Sequence, residues 1–202
     1  MSLYEELKGW QGGIGALLGF IALIVGALWN FHLNRRRDAA LRAEEVISIA
    51  AALYGEIVLL RMEVAALARA VANVSISIGT ERDPIIKFDR HFIAAHGNIS
   101  EAVLYKALAG KLGLLPAELI VAITEFHKNI QEVRNGLPLL IDDPTRGYVY
   151  GASQVLIPAR DAVFGITPAL RAIERMANMP KPETAIDLGR AEGVIELERH
   201  DE

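Results

Sequence analysis

Five histidines are the first residues to ask about chemistry: His32, His91, His96, His127 and His200. His91 and His96 are five apart, so one helix cannot stack them on a face as a pair of zinc-binding histidines requires. With Asp89 they would converge only through a loop. Asp142 and Asp143 resemble paired carboxylates, but they precede Pro144 and Gly147 in IDDPTRG, which reads as a turn. The glycine-rich GGIGALLG does not follow a strand and lacks the Lys and Ser/Thr of a phosphate loop. With no cysteine, thiol nucleophiles, disulfides and thiolate metal sites are excluded. No catalytic residue, cofactor site or metal site is assigned from the sequence, and the chain reads as a non-enzyme.

The elements that would position any site are helical. Hydrophobic residues make up 52% of the chain and alanine is abundant, which favours an all-α class. Gly12 to Phe31, GGIGALLGFIALIVGALWNF, has no charged residue and is long enough to cross a bilayer. Trp10 and Trp29 lie about 28 Å apart at the helical rise, suiting the aromatic belts of the two interfaces. Lys8 stands on one side, and Arg35, Arg36, Arg37 and Arg42 on the other. The unequal positive charge places the C-terminal part in the cytoplasm, with the span in the plasma (inner) membrane. A cleaved signal peptide would want a basic start and a small-residue cleavage site. The opening MSLYEELKGW is net acidic, and an arginine triplet follows the apolar run.

Within the span, Gly12, Gly15, Gly19, Ala22 and Gly26 recur every three or four residues and form one stripe. Small residues let a second helix approach closely, which is how helices associate in lipid. The interface residues are then Trp10, Trp29, Arg35, Arg36 and Arg37.

After Gly26 neither glycine nor proline appears until Gly55, so the span is expected to continue into the next helix, with Asn30 and Asn34 as the places for a break. Ala43, Val46, Ala50, Leu53, Ile57, Leu60, Val64, Leu67, Val71 and Val74 keep a 4,3 alternation, a heptad seam. Glu44, Glu45, Glu56, Arg61 and Glu63 lie off it. VSISIGT, residues 74–80, reads as a helix end or extended linker. A short amphipathic helix is expected from Asp83-Pro84, carrying Ile85, Phe88 and Phe92. Asn98 and Glu101 resemble a capping box. Pro116 opens a helix to Asn135 whose seam is Leu119, Ile123, Phe126, Ile130 and Val133. Pro158 and Pro168 argue for two shorter helices or one kinked helix, with Thr167-Pro168 as a fresh start.

Residues 181–202 hold seven acids against three bases and account for the whole net charge of -4. The body is nearly neutral, which gives no nucleic-acid footprint. The domains read as a short tail over 1–9, a transmembrane helix over 10–34, an antiparallel helical bundle over 35–179 and a flexible acidic tail over 180–202. The bundle core is expected to include Leu53, Ile57, Leu60, Val64, Leu67, Leu119, Ile123, Phe126 and Ile130.

The functional expectation is a single-pass, membrane-anchored helical scaffold, an accessory subunit or adaptor that associates with itself or with a protein partner at membrane lipid. The alternative is a small pore-forming or lytic effector. A membrane-bound enzyme using Asp89, His91 or His96 ranks third.

Overall fold

The computed structural model describes residues 3–80, 87–141, 151–180 and 186–200; for 3–14 and 200 it describes the backbone alone. Among the described residues the secondary structure is all helical. The chain divides into two compact units, Met1–Glu45 and Val46–Glu202.

The described residues of the first unit belong to helix α1, Leu3–Thr80. The helix passes Asn30 and Asn34 without interruption, as the lack of glycine and proline after Gly26 allows. From Gly15 to Glu44 every residue is exposed. The exposed apolar side chains point all round the helix, with Leu17, Leu18, Phe20, Ile21, Leu23 and Leu28 among them. A helix apolar on every side has no polar face to offer water. This stretch is long and apolar enough to cross a membrane.

In the second unit α1 buries its seam from Ile49 onward: Ala50, Leu53, Ile57, Leu60, Val64, Leu67, Val71 and Val74 are all at or below about 5% exposure. Upstream, Val46 is half-buried and Ala43 exposed. The stretch 74–80, with its strand-like alternation, stays helical to the end of α1, where the Thr80 hydroxyl donates to the carbonyl of Ile76 at 2.8 Å. Its isoleucines and serines can follow either period, and the helix upstream has already met the cost of nucleation.

Helix α2 is Arg90–His96. Asp89 caps it by accepting from the Phe92 amide at 2.7 Å, and Gly97 closes it by donating to the Ile93 carbonyl at 2.8 Å. The expected start at Asp83-Pro84 lies outside the described residues, but Phe88, expected on this helix, precedes it in a bend because the Asp89 cap sets the start at Arg90. Helix α3, Val103–Leu108, runs into a 3-10 helix, Ala109–Leu114. The capping box at Asn98 does not form: α3 starts after Ala102, no side chain of its own caps it, and Glu101 pairs with Lys106 at 3.0 Å instead. Helix α4, Ala117–Gly136, begins directly after Pro116, with Glu118 in its first turn and Arg134 in its last, both favourable to the helix dipole. A short 3-10 helix, Leu137–Leu140, follows.

Helix α5, Ser153–Gly165, contains Pro158 without ending there. Six residues into the helix, the proline forfeits one backbone bond, and its ring is buried in the core. The division falls at Ile166, ahead of α6, Thr167–Met176, which carries Pro168 in its first turn, the fresh start expected at Thr167-Pro168. Beyond α6, Asn178 takes φ 50° and the Met179 amide reaches back to the Glu174 carbonyl at 2.9 Å, a left-handed helix stop. Gly136 sits where α4 meets α5: a Cβ there would lie 3.0 Å from Cγ2 of Val155. That closeness is why a glycine ends α4.

Charge and proline suggest a mobile tail over 180–202, yet residues 186–200 are folded. Asp187 accepts from the Gly189 amide at 2.7 Å, Gly189 takes φ +61°, and helix α7, Ala191–His200, follows. Leu188, Ala191, Val194 and Ile195 are buried. Their 3,4 spacing gives α7 an apolar face that its charges mask in composition. One core joins these residues to α1, α4, α5 and α6.

Candidate functional site

Reading α1 in heptads with Ile57 at position a and Leu60 at d, its two flanks carry different chemistry. One flank holds Glu56 and Glu63, seven residues apart. The Glu56 carboxylate accepts from the amides of Leu104 at 2.6 Å and Tyr105 at 2.9 Å, capping α3 from another helix. Glu63 accepts from the Ser100 amide at 2.8 Å and its hydroxyl at 2.7 Å. Arg134 completes the grip on this segment by donating to the Ser100 carbonyl at 2.6 Å. Glu198 does the same service for α5, accepting from the amides of Ala152 at 2.9 Å and Ser153 at 2.8 Å. Glu56 and Glu198 satisfy backbone donors that a helix start leaves free, while Glu63 holds the loop ahead of α3.

Beside Glu56, the His127 ring stacks on Tyr105 with centroids 3.9 Å apart and meets Phe126 edge-on at 5.3 Å. Its Nε2 is buried without a hydrogen-bond partner among the described residues. Burial lowers its pKa to about 4, although the Glu56 carboxylate acts in the opposite sense. The imidazole is therefore neutral at ordinary pH.

The other flank of α1 carries Tyr54 and Arg61, also seven apart, and faces α6 across a groove of about 340 Å³. Its polar end is a connected network. The Tyr54 hydroxyl donates to Oε1 of Glu174 at 3.0 Å, and Nη1 of Arg171 donates to Oε2 of the same carboxylate at 2.7 Å. Glu174 is 6% exposed, so both its oxygens are held within the fold. Arg61 donates through Nε to the Val163 carbonyl at 2.6 Å and through Nη2 to Oγ1 of Thr167 at 2.8 Å, tying α1 to the junction of α5 and α6. Burial and the bond to Glu174 raise the Tyr54 phenol above its ordinary value. Burial, and then the like charge of Arg171, lower the Arg61 guanidinium. The apolar walls include Val58, Met62, Ala65, Leu170 and Ile186.

Elsewhere, the residues singled out in the sequence are placed as follows. Gly15, Gly19 and Gly26 have open space where a Cβ would stand, and Ala22 is exposed. Trp29 is exposed, as are Arg35, Arg36 and Arg37, and the Arg35 guanidinium lies 5.8 Å from the Phe31 ring centroid. The side chain of Trp10 and the surroundings of Gly12 lie outside the described residues. Leu53, Ile57, Leu60, Val64 and Leu67 of α1 and Leu119, Ile123, Phe126 and Ile130 of α4 are all buried. Asp89 is occupied as a helix cap, while His91 and His96 are exposed and His96 leans on Phe92 with centroids 5.0 Å apart. Among the described residues, no group of three or more His, Asp or Glu is placed to hold a metal ion. Asp142 and Asp143 lie outside them.

Sequence reasoning places Glu56, Arg61 and Glu63 off the seam and assigns them no partner, and it passes over Tyr54, Arg171 and Glu174. The available signal was their register: Tyr54 and Arg61 repeat on one flank, Glu56 and Glu63 on the other. No protein-family model, curated protein or solved structure matches the chain.

Proposed function

We propose that this is a single-pass membrane protein whose second unit is a cytoplasmic helical bundle that docks other proteins, or copies of itself, at the membrane. The observation that carries the reading is the run from Gly15 to Leu33: it is helical, uncharged, apolar on every side and wholly exposed, and it is followed directly by Arg35, Arg36 and Arg37. In water such a surface is a strong drive to aggregate; in hydrocarbon it is the solvated state, with every backbone bond made inside the helix. The arginines set the orientation, and the glycines at 15, 19 and 26 leave a flat strip for a second helix.

The mechanism is tethering. The span holds the bundle at the bilayer, and the bundle's surfaces meet the partner. The test is carbonate extraction of membranes from expressing cells, followed by cross-linking in mild detergent and identification of the cross-linked species. The reading expects the chain to resist carbonate and to cross-link to itself or to a defined partner. Release by carbonate, or a monomer with no reproducible adduct, would overturn it.

A further inference from the structure

Among the described residues, the polar end of the groove between α1 and α6 carries more positive than negative charge. Glu174 already serves both Tyr54 and Arg171. Among the described residues Arg61, half-buried, donates to neutral acceptors, the Val163 carbonyl and the Thr167 hydroxyl. Two of its five donors are committed, and the residue lines the groove. Among the described charged residues that line the groove are Arg61, Arg69 and Arg171 beside Glu174 and Asp187, three positive against two negative, one charge in surplus. Arg69 reaches only the backbone carbonyl of Asp187, at 2.6 Å, and the Asp187 carboxylate accepts from Gly189. A half-buried cation without a counter-charge is costly, and a single anion arriving at Arg61 would relieve it. The remaining wall is apolar, from Val58, Met62, Leu170 and Ile186, and the volume lies within the range of small-molecule sites.

We propose that this groove is a binding site for a small amphiphilic monoanion, a carboxylate on a short acyl chain. The carboxylate lies against Arg61 at the Tyr54–Glu174–Arg171 end, and the chain lies along Val58, Leu170 and Ile186. One surplus charge matches a monoanion; a phosphate dianion would leave an unbalanced negative charge beside Glu174. The like charge of Arg171, which depresses the Arg61 guanidinium, is offset when the carboxylate arrives. This site stands apart from the membrane reading, because it is built wholly within the second unit.

The experiment is equilibrium dialysis of radiolabelled octanoate against the full chain in zwitterionic lipid nanodiscs, with empty nanodiscs as baseline. Saturable binding of one octanoate per chain is expected, with octanamide and acetate each at least tenfold weaker. Arg61→Gln should weaken binding tenfold or more. Since that residue also ties α1 to α6, Val58→Trp serves as the second variant: it fills the groove, leaves the bonds of Arg61 in place, and should abolish binding without moving the unfolding midpoint. Binding no greater than to empty discs, equal binding of octanoate and octanamide, equal competition by acetate, or wild-type affinity in both variants would each overturn the proposal.

Discussion

Replacing Glu56 should show how much of the fold hangs on one carboxylate reaching across from α1. Its two oxygens accept from the Leu104 and Tyr105 amides at 2.6 and 2.9 Å, and the residue is 9% exposed. Hydrogen bonds to a charged group contribute about 1.5–3 kcal/mol each, but Leu104 is exposed enough for water to replace part of the loss, so Glu56→Ala is expected to cost about 2–4 kcal/mol. Glu56→Gln keeps one acceptor oxygen and turns an amide NH2 toward the other donor, for about 1–2 kcal/mol. In a unit of this size the alanine variant should lower the thermal midpoint by about 5–15 °C. Circular dichroism of the detergent-solubilised chain reads the midpoint, and hydrogen exchange reads the amides of Leu104 and Tyr105 directly. Both amides should exchange faster in Glu56→Ala, less so in Glu56→Gln. A midpoint within about 1 °C of wild type, together with unchanged protection of those two amides, would refute the reasoning.

Other outcomes follow from the same structure. The folded state keeps His127 neutral down to about pH 4, whereas the unfolded chain takes up its proton near 6.5. Between those values the unfolded state binds more protons, so stability is full above about pH 6.5 and declines as pH falls toward 4. His127→Phe, which keeps the stack on Tyr105 and removes the unpartnered nitrogen, should flatten that slope in denaturant titrations at pH 7 and pH 4.5; an unaltered slope would remove His127 as its source. Phe126→Ala, at 2% exposure, should cost about 3–5 kcal/mol in the same titrations, and a loss under 1 kcal/mol would contradict its place in the core. Glu198→Ala should free the Ala152 and Ser153 amides and loosen α7 first, seen as early exchange of Val194 and Ile195, with cooperative loss of the whole unit as the contrary result. Gly15→Ile with Gly19→Ile should reduce cross-linking of the chain in membranes several-fold, and undiminished cross-linking would count against the glycine strip as a contact.

The long seams were legible from the sequence because they depend on local periodicity. Leu119, Ile123, Phe126, Ile130 and Val133 announce one buried face of α4, and Pro116 marks its start. What the sequence hid were partnerships across long separations. Glu56 meets residues 48 and 49 positions away, and Tyr54 meets Glu174 at 120. Neither distance leaves a local trace, so Glu56 reads only as a residue off the seam and Tyr54 draws no notice. The segment over 186–200 was misread for a related reason. Seven acids and two prolines dominate the composition of residues 180–202, while the buried residues that anchor α7 are only four, Leu188, Ala191, Val194 and Ile195. The fresh start expected at Thr167-Pro168 is where α6 begins, whereas Pro158 lies inside α5, costing one backbone bond while its ring is buried.

The central claim, a single span with the second unit in the cytoplasm, is open to a direct measurement because the chain has no cysteine of its own. Single cysteines placed at Ser2 and at Glu118, an exposed residue in the first turn of α4, can be labelled in intact cells with a membrane-impermeant maleimide. The account predicts labelling of Ser2→Cys in intact cells and of Glu118→Cys only after the membrane is permeabilised. Labelling of both in intact cells, or of Glu118→Cys alone, would contradict it.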